Sequence, residues 1–347
     1  MRTDEFDYDL PPELIAQTPL PRGESRLLVL HRFTGEIEHR LFGDLPDYLA
    51  PRDVLVLNDT RVSARRLRAI RGNGAEAEVL LVRPFGERAW QAIVRPGRAF
   101  RPGAAVTLAG PEGGPVRADV TAVTEDGGRI LEFPTAELRD RAATWGQAPL
   151  PPYIHVPLPP EQEERYQTVY ARQAGSAAAP TAGLHFTPEL LEKLEAAGTI
   201  IARVTLHVAV ATFRPVRAET VEAHEMHAET IEVPQEAADV VNGCRGRIVA
   251  VGTTSVRTLE TAAAAAASSG PTAGRVAPTT GETRLFIVPG YKFRAVDAII
   301  TNFHLPRSSL LMLVSAFAGV ESTRTAYRSA IENRYRFFSF GDAMLIV

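Results

Sequence analysis

The sequence is poor in cysteine and lysine and has no long apolar run. Its one cysteine, Cys244, excludes an internal disulfide and a zinc site built from several cysteines. The longest apolar stretch, residues 308–320, is too short to cross a bilayer. Residues 1–9 are acidic and polar and lack the apolar stretch of a signal peptide. We therefore expect a soluble, cytoplasmic protein with no membrane partner.

Apolar and charged residues occur in the proportions of an ordinary folded protein. Apolar side chains make up 45% of the chain and charged ones 23%, which excludes wholesale disorder. A length of 347 residues exceeds what one compact core usually holds, so two domains are predicted.

Positive charge is concentrated in one part of the chain. The net charge is −3, yet residues 52–101 hold eleven arginines against five acidic residues. Residues 219–239 hold seven acidic residues. This asymmetry fits a polyanion that binds one domain and is repelled by another. It fits equally a chain that uses arginine as its ordinary cation, because all but two of its 38 basic residues are arginine.

The middle of the chain predicts a small antiparallel β-barrel. Short β-rich runs recur at 77–82, 89–94, 105–108, 116–123 and 129–133. Glycine and proline turns separate them, which is typical of antiparallel strands. Prolines then mark a stiff boundary at residues 149–160.

The flanking segments predict an α/β layered domain. Strands are predicted at 26–30, 53–57, 200–210, 247–251, 285–288 and 298–301, and helices at 188–197, 255–267, 310–318 and 322–333. Such alternation indicates a sheet covered by helices. We therefore predict a discontinuous α/β catalytic domain, residues 1–60 and 150–347. An all-β domain, the small barrel of residues 61–149, is inserted into it.

Polar residues follow three of the predicted strands. They are Asn58, Asp59, Thr60 and Arg61 after the second strand, Gly252, Thr253 and Thr254 after the fourth, and Asn302, Phe303 and His304 after the last. The carboxyl ends of strands in α/β sheets line the ligand crevice. Free amides at the helix start after Gly252 favour an anion such as carboxylate or phosphate. Local turns and helix caps are the competing interpretation of each group.

A loop of small residues precedes the helix at 188. Its candidate ligand contacts are Pro180, Thr181, Gly183, His185 and Phe186. Small residues and glycine allow a backbone to lie close to a ligand. A lone histidine is usually structural, but a loop setting favours a functional role.

A histidine pair at 224–229 invites a metal interpretation. His224, His227 and Glu229 could supply three ligands, but they lack the helical spacing of zinc proteases. Acidic exposed surface or proton chemistry is the favoured interpretation, so no metal site is predicted.

Eight stretches carry a resemblance to known proteins. They are 6–20 (FDYDLPPELIAQTPL), 53–62 (DVLVLNDTRV), 165–171 (RYQTVYA), 179–187 (APTAGLHFT), 224–229 (HEMHAE), 249–259 (VAVGTTSVRTL), 301–313 (TNFHLPRSSLLML) and 335–346 (YRFFSFGDAMLI). In this order, across nearly the whole chain, they resemble the S-adenosylmethionine:tRNA ribosyltransferase-isomerases of queuosine synthesis. The chain departs from the family in places. Ala209 and Ala211 replace glycines of its HVGxGTF pattern and are expected to narrow a ligand-approach loop, and residues 175–181 differ mildly from its GSVAAPTAG pattern.

The resemblance implies an unusual transfer reaction. The ribosyl unit of S-adenosylmethionine moves to the aminomethyl group of 7-aminomethyl-7-deazaguanine at the tRNA wobble position and rearranges there. Epoxyqueuosine-tRNA forms, and adenine and methionine leave. The resemblance implies an α/β domain with an inserted barrel and no metal or prosthetic group, S-adenosylmethionine being a consumed cosubstrate. A monomer is the expected assembly.

Candidate roles follow from this chemistry. Proton transfer is assigned to His185, His227, His304 and Asp59 without a ranking. Arg257 and the amides after Gly252 suit the methionine carboxylate. The other expected cosubstrate contacts are Asn58, Thr60, Arg61, Pro180, Thr181, Gly183, Phe186, Thr253, Thr254, Asn302 and Phe303. The arginines expected to hold tRNA phosphates are Arg61, Arg65, Arg66 and Arg68.

Two other functions compete. An S-adenosylmethionine-dependent RNA methyltransferase would leave S-adenosylhomocysteine, but no GxGxG-type loop follows the first strand. A non-catalytic RNA-binding protein would not need polar clusters after three separate strands. Release of free adenine distinguishes the three.

Overall fold

A nine-stranded mixed sheet and a closed six-stranded barrel organise the chain. The computed structural model describes residues 1–110, 114–124, 127–209, 216, 218–268, 270 and 274–347. Its strands are β1 (Arg26–Leu30), β2 (Ile37–Leu41), β3 (Val54–Asn58), β4 (Thr60–Val62), β5 (Arg65–Arg71), β6 (Glu76–Phe85), β7 (Ala89–Arg95), β8 (Ala105–Leu108), β9 (Val116–Val123), β10 (Arg129–Glu132), β11 (Gln173–Ser176), β12 (Ile200–Leu206), β13 (Glu229–Val233), β14 (Ile248–Val251), β15 (Thr279–Thr283), β16 (Ala298–Asn302) and β17 (Ala343–Ile346). Its α-helices are α1 (Ala136–Trp145), α2 (Pro188–Ala196), α3 (Gln235–Asn242), α4 (Gly252–Ser268), α5 (Ser309–Ala318) and α6 (Val320–Glu332). Within these ranges, none of the helices has the length and apolar character needed to cross a membrane.

The large sheet has parallel strands at its centre. The strand order is β15-β13-β12-β3-β14-β16-β17-β1-β2. Strands β12, β3, β14 and β16 run in one direction, so their carboxyl ends meet at one edge. Strands β17 and β1 are parallel to each other and antiparallel to β16.

Apolar side chains cover both faces of β3, β14 and β16. Along β3, Val54 and Val56 face the core beneath α3, α4, α5 and α6. Leu55 and Leu57 face α2 and the 3-10 helix Phe42–Tyr48. A strand buried on both faces reads as an unbroken apolar run, which is why β3, β14 and β16 are recognisable from sequence.

The strands between residues 65 and 132 close into an antiparallel barrel. The order around it is β10-β7-β6-β5-β8-β9, and Trp90, Leu131 and Phe133 lie in its core. The N-cap of α1 is Thr135, whose hydroxyl accepts the Leu138 N–H, and this helix packs against the barrel. The predicted fold class is confirmed. The domain limits at 61 and 149 stay a prediction.

Strand β5 escapes prediction because arginines interrupt its apolar residues. Leu67 and Ala69 point into the barrel core, whereas the intervening Arg68 is exposed. Such alternation is the signature of a half-buried strand.

Predicted and observed bounds differ for several elements. The strand predicted at 285–288 is wrong: these residues pack on the core as a loop, and the strand is β15, paired with β13. The strand predicted to end at 210 ends at Leu206, and residue 210 lies outside the described residues. Helix α4 begins at Gly252 rather than at 255, because β14 turns directly into it.

Both tryptophans, Trp90 and Trp145, lie in or against the barrel core, so their fluorescence reports on the barrel. We predict that Leu131→Ala destabilises the fluorescence-detected transition in urea by about 2–5 kcal/mol, because it leaves a cavity. The midpoint of the far-UV circular-dichroism transition, to which both domains contribute, should shift less. Leu28→Ala, equally buried in the α/β core, should do the reverse. Equal shifts of both signals in both variants would contradict independent domains.

Candidate active site

A cleft opens at the carboxyl ends of β14 and β16, which are neighbours in the sheet. The space between its walls, counted together with its open mouth, is about 700 Å³. Three of the predicted segments meet there. Their lining residues are Pro180 and Thr181, then Gly252, Thr253 and Thr254, and Thr301, Asn302, Phe303 and His304.

The start of α4 forms one wall of the cleft. Gly252 has a φ of 84°, a region that favours glycine, and this lets β14 turn directly into the helix. The first backbone N–H groups of an α-helix have no partner within the helix and carry the positive end of its dipole. The Thr254 hydroxyl is buried without a hydrogen-bond partner among the described residues. This wall therefore offers donors to an anion.

His304 also lines the cleft, and its backbone is held from two sides. The Tyr8 hydroxyl donates to the His304 carbonyl at 2.5 Å, and the His304 N–H donates to the Tyr327 hydroxyl at 3.0 Å. The ring Nε2 lies 2.8 Å from the Thr301 hydroxyl. Burial lowers the pKa of His304 to about 3, so its ring is neutral at physiological pH.

His185 lies behind the cleft wall rather than in it. Its buried ring stacks against Phe42, with 5.0 Å between ring centroids. Its Nε2 lies 3.2 Å from Asn302 Nδ2, and its Nδ1 lies 2.9 Å from the Ser25 hydroxyl. Burial, with a smaller contribution from the Arg22 charge, lowers the pKa of His185 to about 4. His185 is thus connected to the cleft through Asn302.

The small-residue loop divides between cleft and protein interior. Pro180 and Thr181 line the cleft. Gly183 faces protein instead, since a Cβ there would overlap the Tyr170 hydroxyl. Phe186 is fully buried in the core under α2. The small residues of this loop therefore serve packing within the protein as well as the approach of a ligand to the cleft.

The predicted segment after β3 lies at the same sheet edge, but protein groups bind its side chains. The partners of Asn58, Asp59, Thr60 and Arg61 are, in order, the Leu206 backbone, the Thr205 hydroxyl with Arg172, the His207 ring, and Glu164. None of the four is among the described residues that line the cleft. The segment ties β3 to β12 and to the residues before β11.

Arg257 is buried away from the cleft lining. Its guanidinium forms an ion pair with Glu229, at the start of β13. The same carboxylate accepts the Ala209 N–H at 2.9 Å. The pair joins α4, β13 and the segment after β12, and the contact of Arg257 with a ligand stays a prediction. The second substituted position, Ala211, lies outside the described residues.

The structure separates the side chains of the 224–229 stretch. His227 is exposed, His224 packs edge-on against Phe286, and the Glu229 carboxylate faces Arg257. The described residues contain no group of three His, Cys, Asp or Glu side chains placed to share a metal ion.

Several lining residues were not predicted. They are Tyr153, Val208, Ser308, Leu310, Phe338 and Ser339, together with Ala179, Ala182 and Leu305. Phe338 has a φ of 69°, which is unusual for a bulky residue and marks a constrained position. The stretch 335–346 is one of the eight that carry the family resemblance. Its aromatic residues have the pattern of core residues, so nothing in the sequence marks Phe338 and Ser339 as cleft residues.

The chain is similar to known proteins in sequence and in structure. A model of a family described as queuosine biosynthesis protein matches residues 3–346. The S-adenosylmethionine:tRNA ribosyltransferase-isomerase of Symbiobacterium thermophilum is 53% identical over 353 residues, covering 100% of both chains. That of Heliobacterium modesticaldum is 51% identical, covering 99% of this chain and 98% of its own. A crystal structure of S-adenosylmethionine tRNA ribosyltransferase from Thermotoga maritima has a TM-score of 0.55 and 42% identity, covering 99% of this chain and 100% of that one.

The lowered pKa values of His185 and His304 make stability depend on pH. Both have pKa values below the ordinary 6.5, so the unfolded chain binds more protons than the native protein between about pH 4 and 6.5. We predict that the free energy of unfolding falls as pH is lowered through this window, by up to about 1.4 kcal/mol per pH unit for each histidine. His185→Gln should flatten the profile measured by urea unfolding. A variant profile as steep as that of the unmodified protein would contradict this assignment.

Proposed function

Because the chain belongs to the queuosine biosynthesis protein family, we propose that it is an S-adenosylmethionine:tRNA ribosyltransferase-isomerase. It transfers the ribosyl unit of S-adenosylmethionine to 7-aminomethyl-7-deazaguanine in tRNA and isomerises it. The products are epoxyqueuosine-tRNA, adenine and methionine. The one observation that carries this proposal is the cleft, in which an anion-binding helix start and a neutral histidine meet.

The methionine part of the cosubstrate is held at the start of α4. The free amides of Gly252, Thr253 and Thr254 donate to its carboxylate, and the unpartnered Thr254 hydroxyl adds a side-chain donor. Arg257 acts here indirectly. Its buried pair with Glu229 fixes α4 against β13.

His304 is the proton acceptor of the proposed mechanism. We assign the proton of the neutral His304 ring to Nε2, which then donates to the Thr301 hydroxyl at 2.8 Å, while that hydroxyl donates to the Asn302 carbonyl at 3.3 Å. The Nδ1 lone pair is then free of described partners. A neutral ring with a free lone pair can accept the proton beside the sulfonium, and the lowered pKa of His304 makes that ring a weak base. The two tyrosine contacts on the His304 backbone keep this ring in place.

The other proton candidates act at a distance from the cleft. Asp59 holds Thr205 and Arg172 at the neighbouring strand end, and His227 lies on the surface. Neither residue is among the described residues that line the cleft, and Asp59 orders the neighbouring strand end.

The inserted barrel, with limits at residues 61 and 149, is the proposed tRNA-binding domain. Its arginine excess supports this role. Arg61 pairs with Glu164 at 2.6 Å and Arg65 with Glu163 at 3.4 Å, whereas exposed Arg68 forms no described ion pair. Exposed ion pairs are worth little in free energy, so a phosphate can replace the carboxylate.

The reaction is tested by incubating the protein with adenine-labelled S-adenosylmethionine and precursor tRNA. We predict free adenine in step with tRNA modification, and turnover lowered about 100-fold or more in His304→Gln, because a proton acceptor is lost. His31→Gln is the matched control, since His31 follows β1 at the opposite sheet edge. S-adenosylhomocysteine as product, or full activity of His304→Gln, would contradict the proposal.

The arginine surface is tested by the salt dependence of tRNA binding. We predict that Arg68→Ala lowers the slope of log affinity against log salt by about one, because one phosphate contact is lost. Arg61→Ala should lower it less, because Glu164 already offsets that charge. The quadruple variant at 61, 65, 66 and 68 should show the largest loss. An unchanged slope in the quadruple variant would remove these residues from the tRNA site.

A further inference from the structure

A buried hydrogen-bonded chain ends at the cleft. The Ser25 hydroxyl lies 2.9 Å from His185 Nδ1, and His185 Nε2 lies 3.2 Å from Asn302 Nδ2. Ser25, His185 and Asn302 are each less than one-tenth exposed. Asn302 alone of the three lines the cleft, at the end of β16.

The chain decides which way the Asn302 amide points. Asn302 Nδ2 donates to the Phe338 carbonyl at 3.0 Å, and a carbonyl oxygen can only accept. The amide nitrogen must therefore lie on this inner side. Its second hydrogen goes to His185 Nε2, so His185 carries its own proton on Nδ1 and donates it to Ser25. Both Asn302 donors are thus used inside the protein.

The Asn302 oxygen is left on the cleft side. Its one described partner is the Thr181 hydroxyl, at a long 3.4 Å. A carbonyl oxygen has two acceptor positions, so Oδ1 keeps capacity for a ligand donor. This arrangement needs a neutral His185, because an imidazolium would direct a second donor at the Asn302 amide nitrogen. Burial of the ring and its lowered pKa agree with that state.

The cosubstrate offers two amino groups, and the geometry selects between them. Recognition of adenine by an asparagine uses its nitrogen and its oxygen together. Asn302 has no donor left for that. A lone acceptor instead suits an ammonium group, which only donates.

The position of Asn302 also favours the ammonium group as the donor to its oxygen. In the sheet register Val251 is paired with Ile300, so the start of α4 and the end of β16 lie side by side. An amino acid whose carboxylate binds the α4 amides carries its ammonium on the same carbon. That ammonium is therefore placed beside Asn302. The carboxylate position rests on the proposed function.

We infer that Asn302 Oδ1 accepts a hydrogen bond from the ammonium group of the cosubstrate's methionine part, and that His185 is a positioning residue for it. Ser25 in turn holds His185 in the required tautomer. His185 then moves no proton in the reaction, although its loop setting predicted a proton carrier.

The inference is tested by calorimetry without tRNA, using S-adenosylmethionine and its deamino analogue. In the unmodified protein, loss of the ammonium should weaken binding about ten- to a hundredfold, because hydrogen bonds to charged groups are among the strongest. In Asn302→Ala, removal of the ammonium group should weaken binding less than about threefold, because the asparagine oxygen that accepts from the ammonium is already absent. Asn242→Ala is the control: its amide also bonds a backbone segment, at Val276, but lies outside the cleft lining and should keep the full effect.

A second pair of variants keeps the test decisive where Asn302→Ala fails to fold. His185→Gln retains an acceptor for Asn302 Nδ2 and should keep most of the ammonium dependence. His185→Phe keeps a ring against Phe42 without an acceptor and should lose much of it. Equal ammonium dependence in the Gln and Phe variants would overturn the positioning role.

The outcomes separate this inference from the function it rests on. Equal ammonium dependence in the unmodified protein and Asn302→Ala, with tight cosubstrate binding in both, would overturn the Asn302 contact alone. Failure of the unmodified protein to bind S-adenosylmethionine would overturn the proposed function itself. Loss of turnover in His185→Gln with intact cosubstrate binding would return His185 to the list of proton carriers.

Discussion

Burial of the central strands on both faces is the constraint on which the rest of the structure depends. Strands β3, β14 and β16 lie between two layers of helix, so apolar side chains occupy both sides along their length. A polar side chain inside such a layer would lose its water without a partner. Polar chemistry is therefore confined to the strand ends, and parallel pairing brings those ends to one edge.

Two asparagines at that edge show how neighbours decide what a strand end does. Asn58 ends β3, and its oxygen accepts from the Leu206 and Thr60 backbone N–H groups. Asn302 ends β16, and its nitrogen is held by protein groups while its oxygen meets a hydroxyl at the cleft. Both amides are buried. The first ties strands together, and the second leaves an acceptor at the cleft.

The same contrast appears among charged residues. Arg257 was expected beside a ligand, but Glu229 at the start of β13 pairs with it inside the protein. A buried ion pair is costly to break, because removal of one partner leaves an unpaired charge. This pair therefore holds α4 in place, so that the helix start, rather than the guanidinium, meets the cleft.

Apolar periodicity, turn residues and helix starts predict the class of fold, the strands of the barrel other than β5, the buried strands β3, β14 and β16, and three of the segments that meet at the cleft. These signals are local. The packing of the sheet selects the polar side chains of those segments that line the cleft. Asn58 is 148 positions from Leu206, and Asn302 is 117 positions from His185. A hydrogen bond between such distant residues leaves no local pattern, because its partner is chosen by the packing of the sheet.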